Sequence, residues 1–167
     1  MAIDKIKSES LDLTDDYTFT GKVDGSVSPY FCVSLNGQVT GQADATWTKI
    51  AFNNFDTNVG SDYDTTNNKF VVSIPGKYYF NCHLTAGTSS ASSVGTCSTK
   101  LYKNGSAISK SENTQKMENE CELTTMNSQF VLDLVADDYI EAYGFIDRST
   151  GTTRFTRSQF VGFRLGN

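Results

Sequence analysis

The sequence predicts an all-β sandwich, and three observations carry that reading. Apolar residues recur with period two along most of the chain, and helical periodicity is nearly absent. Aromatic residues make up 12% of the chain while hydrophobic residues together reach only 38%, so the core must be built from a few large side chains set among Ser, Thr, Asn and Gly. Turn signals divide the alternating runs into about eight to ten short segments, the spacing of a β-sandwich. At 167 residues the chain is long enough to bury such a core in one domain.

Taken in order, residues 9–23 (ESLDLTDDYTFTGKV) alternate around Leu11, Leu13, Tyr17, Phe19 and Val23. The first ~25 residues are acidic and sparsely apolar, so they cannot form a core alone. They read as an N-terminal arm, residues 1–27, that attaches to another protein or joins partner arms in a short shaft. Residues 28–167 form the head. Its runs are YFCVSLNGQVT (30–40), TWTKIAFNNF (46–55), KFVVSI (69–74), KYYFNCHLTA (77–86), CSTKLYKNGSAISK (97–110), ECELTTMNSQFVLDL (120–134), YIEAYGF (139–145) and QFVGFRL (159–165). The candidate core is Phe31, Phe70, Val72, Leu101, Leu132 and Leu134.

Asn36-Gly37 and Asn104-Gly105 mark type I′ hairpins, because that turn needs positive φ at both central residues. Pro75-Gly76 reads as a type II turn between two strands, with Pro presetting φ and Gly supplying the positive one. Asn58-Val59-Gly60, Asn67-Asn68 and Ser149-Thr150-Gly151 punctuate the remainder. GTSSASSVGT (87–96) and SENTQKMENE (111–120) read as exposed loops, the second one charged. In KYYFNCHL, alternation puts Tyr78, Phe80 and Cys82 on one face and Tyr79, Asn81 and His83 on the other. Both faces carry an aromatic residue, so a second partner is expected to cover one of them.

Several function classes are disfavoured. The net charge is −5 and no basic run exists, which argues against nucleic acid as a partner. No apolar run reaches the length of a signal peptide or a membrane span, so the expectation is cytoplasmic synthesis without membrane insertion, with release by a route such as lysis. No CxxC appears to suggest zinc. Cys32 and Cys82 lie in apolar runs and read as small buried hydrophobes. Cys97 and Cys121 flank a hairpin and either meet as a disulfide or stay reduced, as cytoplasmic synthesis favours.

His83 is the only histidine, so a Ser-His-Asp arrangement would have to use it. It lies in a strand, and its neighbour Cys82 points to the opposite face, so it reads as a structural or interface residue and the chain as no enzyme. Asp62 and Asp64 place two carboxylates on one side near Asn67 and Asn68; they are candidate calcium ligands, with a solvated turn as the competing reading. Asn104-Gly105-Ser106 fits a glycosylation sequon but serves as a turn. Beyond these positions the chain names no cofactor.

An ordered set of motifs resembles the globular head of complement C1q, within the C1q/tumour necrosis factor-like group. It runs from Tyr30-Phe31-Cys32-Val33-Ser34 through NVGSDYDTTNNKFVVSIPGKYYF (58–80), Leu101-Tyr102-Lys103-Asn104-Gly105 and VLDLVADDYIEAY (131–143) to Phe160-Val161-Gly162-Phe163. One departure is Asp137, where the family usually has Gly. The resemblance implies a ten-stranded jelly-roll sandwich that forms a homotrimer, with Tyr78, Tyr79, Phe80, Phe160 and Phe163 as candidates for the contact between copies. It also implies calcium binding in some members.

The family often carries a Gly-X-Y stalk, and this chain has DKIKSESLDLTDDYTFTGKVDG (4–25) instead. That segment resembles N-terminal or shaft segments of bacteriophage and other viral fibres. The implied function is a non-enzymatic trimeric virion surface protein, a fibre or decoration protein. Leu11, Leu13, Tyr17 and Phe19 would attach it to other virion structural proteins. The head would adhere to a host surface glycan or protein receptor through loops such as 87–96, 111–120 and 146–153. The alternative is a cellular C1q-like module for adhesion or innate recognition.

Overall fold

Two antiparallel sheets face each other across an aromatic core in the computed structural model, which describes residues 28–60, 62–90 and 93–166. The arm, with Leu11, Leu13, Tyr17 and Phe19, lies outside the described residues. The strands are β1 (Tyr30–Ser34), β2 (Val39–Thr40), β3 (Thr48–Lys49), β4 (Asn54–Val59), β5 (Tyr63–Asp64), β6 (Lys69–Val71) and β7 (Gly76–Thr88). They continue as β8 (Val94–Lys103), β9 (Ser106–Ala107), β10 (Asn113–Cys121), β11 (Leu123–Leu134), β12 (Tyr139–Arg148) and β13 (Thr153–Gly166). One sheet runs β11-β7-β13-β1-β4 with β2 also on β13; the other runs β10-β8-β12-β6-β5 with β3 on β12 and β9 on β8. This is a jelly-roll sandwich, and the count exceeds ten because β2, β3, β5 and β9 are two-residue segments.

Alternation fills the core. Phe31 sits at its centre, with ring centroids of Tyr63, Phe70 and Phe160 each 5.0 Å away. Tyr78, Phe80, Phe52 and Leu101 are also fully buried there, and each such side chain contributes about 2–3 kcal/mol by leaving water. Val72 and Leu134 are buried with them, while Leu132 packs on the rim, partly exposed.

The turns differ in instructive ways. Asn104 and Gly105 take φ of 51° and 76°, and β8 and β9 pair around them as a two-residue hairpin. Asn36-Gly37 does not make a hairpin. Only Gly37 is left-handed of the two, and β1 and β2 both pair with β13, so the pair kinks one continuous run. Leu35 explains this: it is buried, and its N–H donates to Ser158 O at 3.1 Å, which holds the chain on the same partner strand.

Pro75-Gly76 is likewise no turn between paired strands. β6 belongs to the seven-stranded sheet and β7 to the six-stranded one, so the pair lies in the crossover between sheets. Tyr78 fixes that crossover by donating its hydroxyl to Ile74 O at 2.6 Å.

The expected loop at 111–120 is mostly strand β10, and the loop at 87–96 shrinks to the residues between Thr88 and Val94. β10 pairs with β8 alone across a register shift, and nearly all of its side chains are exposed. An outer strand with two wet faces has no apolar alternation to reveal it, and its charges discourage edge pairing with other chains. Asp137 has φ of 69°, the left-handed conformation that favours glycine. Beside it, Asp138 accepts from Val135 N–H at 2.9 Å and Asn104 Nδ2 at 2.7 Å and pairs with Lys103 Nζ at 2.7 Å, clamping the β8–β9 hairpin to the β11–β12 turn.

Candidate functional site

The six-stranded sheet has a second face, away from the core, and strand register sets its pattern. Tyr30 on β1 lies opposite Phe163 on β13, Phe163 opposite Tyr79 on β7, and Tyr79 opposite Val131 on β11. Four strands therefore contribute one row of apolar side chains across the sheet. Tyr30 is 45% exposed, Phe163 39% and Val131 46%, and Leu165, further along β13, is 52% exposed. Tyr79 and Phe163 pack ring against ring, 5.2 Å between centroids. The other large hydrophobics left exposed among the described residues are Phe55 and Val135, on an outer strand and in a turn.

Below this row the face becomes polar. The next row is Cys32, Val161, Asn81 and Gln129, and the one after it Ser34, Gln159, His83 and Asn127. Gln159 Nε2 donates to Cys32 Sγ at 2.9 Å. Cys32 is thus half-buried on the outer face rather than in the core, because β1 turns Phe31 and Val33 inward. Burial, then the Asp56 carboxylate 3.6 Å away, pushes its thiol pKa up. His83 Nδ1 lies within hydrogen-bond distance of Asn127 Oδ1, 3.1 Å away. Ser34, Asn81, His83, Arg157 and Gln159 line an open depression of about 420 Å³.

The seven-stranded sheet presents a different outer face. Lys100 Nζ sits 3.7 Å from the Trp47 ring centroid and 3.3 Å from Glu112 Oε2, and Tyr102 and Tyr143 stack at 3.9 Å. Its rings, Trp47, Tyr102 and Tyr143, are half-buried against one another and Lys100. The two faces therefore differ in kind, and only the six-stranded one leaves an apolar row open.

Of the five residues expected between copies, Tyr79 and Phe163 lie on this open face. Tyr78, Phe80 and Phe160 do not: each is fully buried, with Phe80 and Phe160 rings 6.0 Å apart inside the sandwich. The correction follows from the strand period, since residues 78 and 80 share the inward face with Phe31 across the core. Tyr30 and Val131 were missed. Alternation alone gives each an outward direction, but only the pairing of four distant segments joins them into a row.

Among the described residues the histidine's side-chain partner is Asn127, not a thiol or hydroxyl. Cys82 points inward, where burial raises its thiol pKa to about 12, and His83 points outward to Asn127. Asp62 and Asp64 are each held within the chain. Asp62 accepts from Ser73 Oγ at 2.7 Å, and Asp64 accepts from Asn67 Nδ2 at 2.6 Å and from the N–H groups of Thr66 and Asn67. These bonds, led by the Asn67 side chain, hold Asp64 below the usual carboxylate range. Among the described residues no three His, Cys, Asp or Glu side chains are grouped to hold a metal ion, and Asp64 organises a hydrogen-bonded turn with Thr66 and Asn67. Cys97 and Cys121 are both free thiols.

The fold is a two-sheet jelly roll whose six-stranded sheet leaves an apolar row open on its outer face. The chain belongs to the C1q domain family, whose description covers residues 30–165. Its fold is similar to the globular domain of the zebrafish complement 1qA protein, at 19% identity and a TM-score of 0.62, over 83% of this chain and 99% of that one. It is also similar to the Eiger TNF from S. frugiperda, at 16% identity and a TM-score of 0.59, over 84% and 93%. No curated protein sequence matches the chain significantly. C1q-like domains are binding modules, typically trimeric, rather than enzymes.

Proposed function

We propose that the chain is a non-enzymatic homotrimeric head whose copies meet through the outer face of the six-stranded sheet. The observation that carries this reading is the cross-strand row Tyr30–Phe163–Tyr79–Val131, three of whose members are among the most exposed large hydrophobics of the described residues. Burying such a row against sister copies removes apolar area from water at about 25 cal/mol per Å², and the Tyr79 and Phe163 rings enter already packed together. The head belongs to a virion surface protein, a fibre or decoration protein. Support comes from the resemblance of residues 4–25 to viral fibre segments, which assigns the arm to particle attachment. The loops at the ends of the sandwich, opened to solvent by this assembly, then contact a host surface glycan or protein.

Light scattering coupled to size exclusion tests the assembly. The full chain is expected at three times its 18.3 kDa mass at micromolar concentration, and Phe163→Arg is expected to give a folded monomer. A wild-type monomer refutes the assembly. Mass spectrometry of purified particles tests the location, and absence of the chain from them refutes it.

A further inference from the structure

The six-stranded sheet ends on β4, and the seven-stranded sheet ends beside it on β5. Asn58 ties the two strands together: its Nδ2 donates to Tyr63 O at 3.1 Å, and its Oδ1 accepts from Tyr63 N–H at 3.2 Å. We infer that residues 17–23 of the same chain's arm add to the free edge of β4 as a further strand, with Phe19 against Phe55. The inference goes beyond the homotrimer and virion readings and depends on neither.

The edge is open. β4 pairs with β1 alone, and among the described residues its backbone makes no hydrogen bond outside that ladder. The other ends of the two sheets are guarded. β5 is two residues long, and β10 carries Lys116, Glu118 and Glu120. β11 is tied to β10 through Asn113 Nδ2, which donates to Asn127 O at 2.7 Å. Short strands, charges and cover are the means by which an edge is kept from pairing. β4 has six residues and a single charge, Asp56, which already accepts from Cys32 Sγ. The register shift opposite Cys32 and Val33 bends the strand without covering it.

Phe55 marks the same edge from its side chain. It lies opposite buried Val33, so it turns toward the space between the sheets, yet it is 48% exposed. Its ring neighbour among the described residues is Tyr63, edge-on at 6.5 Å. An aromatic side chain directed at the core and left half in water gains by a cover from beyond β4.

Position names the occupant. Tyr30 pairs with Val59, and a Cβ built on Gly60 would lie 3.5 Å from Pro29 Cβ, so the chain enters β1 at the Val59 end of β4. Residues 1–27 precede this point. The outer side of β4 is two strand spacings from β1, about 9.6 Å. Residues 24–27 reach about 13 Å when extended, and Asp24-Gly25 among them is a turn signal. Residues 17–23 (YTFTGKV) then span about 23 Å, against about 20 Å for β4. They run parallel to β4, since both end where the chain turns into β1. Tyr17 and Phe19 alternate with Thr18 and Thr20, all residues that favour strands, so one face offers rings to Phe55 and the other hydroxyls to water. Residues 1–16, with Leu11 and Leu13, remain for attachment to another protein.

Hydrogen–deuterium exchange of the full chain, read by mass spectrometry at neutral pH, tests this. The expected result is exchange at residues 17–23 slower by about tenfold or more than in an isolated peptide of that sequence. Thr20→Pro removes an N–H from the run. It is expected to speed exchange by about tenfold at residues 17–23 and at the β4 amides that face away from β1, with β7 unchanged. Phe55→Ala, at an exposed position, is expected to speed exchange at residues 17–23 from the other side of the contact. Exchange of residues 17–23 at the isolated-peptide rate in wild type overturns the inference. Protection that Thr20→Pro removes while β4 stays unchanged also overturns it, assigning the arm to a shaft of sister arms. Protection that disappears on dilution to monomer overturns the same-chain pairing in favour of a sister's β4. None of these outcomes alters the reading of Phe163→Arg, so the trimer stands or falls separately.

Discussion

Gly162 lies on the inward face of β13, in the middle of Phe160-Val161-Gly162-Phe163, and replacing it with alanine tests the core directly. A Cβ built there falls 2.5 Å from Phe31 Cε1 and 2.7 Å and 2.8 Å from two ring carbons of Phe80. Ordinary carbon contacts are about 3.5–4.0 Å, so a ring must move by about 1 Å. Neither has room. Phe31 is held by Tyr63, Phe70 and Phe160 at 5.0 Å each, and Phe80 by Phe70 at 5.6 Å and Phe160 at 6.0 Å. Overpacking of this kind costs about 1–3 kcal/mol, and the entropy advantage of Ala over Gly in a strand returns about 0.5–1 kcal/mol. The net expectation for Gly162→Ala is about 1 kcal/mol of destabilisation. With a urea m-value of about 2 kcal/mol/M, the unfolding midpoint falls by about 0.5 M. The comparison is made at fixed protein concentration, since association adds to apparent stability. Adding Phe80→Leu to Gly162→Ala should cost less than the sum of the two single changes, because the smaller side chain receives the methyl group. A midpoint within 0.2 M of wild type would mean that the rings around residue 162 yield freely, and the account of a rigid aromatic core would be wrong.

Two further outcomes are expected. Asp137→Gly should raise stability by about 0.5–1 kcal/mol in the same assay, because φ of 69° costs a side-chain-bearing residue more than glycine, while Asp138 keeps the clamp; a loss of stability would refute strain at this turn. Burial pushes the Cys82 and Cys97 thiols up to about 12, so in the native protein at pH 8 an alkylating reagent should modify neither until denaturant is added; rapid native labelling of either would contradict the packing.

How far the sequence reaches depends on what each residue answers to. Phe31, Phe70, Val72 and Leu101 were legible because a strand with one buried face must alternate, and they are the inward members of their runs. Asn104-Gly105 was legible because its conformation is set locally. Asn36-Gly37 carries the same dipeptide and was misread, since its geometry is dictated by Leu35 and by the distant Ser158 carbonyl. β10 left no pattern because both its faces are wet. The surplus of aromatics at 78–80 pointed correctly to two faces, but their assignment required knowing that Tyr79, not its neighbours, lies beside Phe163. The open row on the six-stranded sheet is invisible to any window of sequence, since its members come from β1, β7, β11 and β13.

The place of β13 has a consequence for how the domain comes into being. It is the middle strand of its sheet, pairing with β1, β2 and β7, yet it is the last strand of the domain to leave the ribosome. While it is missing, Tyr30 has no Phe163 to face and Tyr79 has a neighbour on one side only. The nascent domain therefore carries an unfilled slot between β7 and β1, and closing it joins segments from opposite ends of the head. Folding waits for β13 to emerge and proceeds slowly, as non-local pairings do. During that interval the slot can accept the β13 of a sister chain in place of its own, which makes synthesis on crowded polysomes the moment of greatest risk for strand exchange.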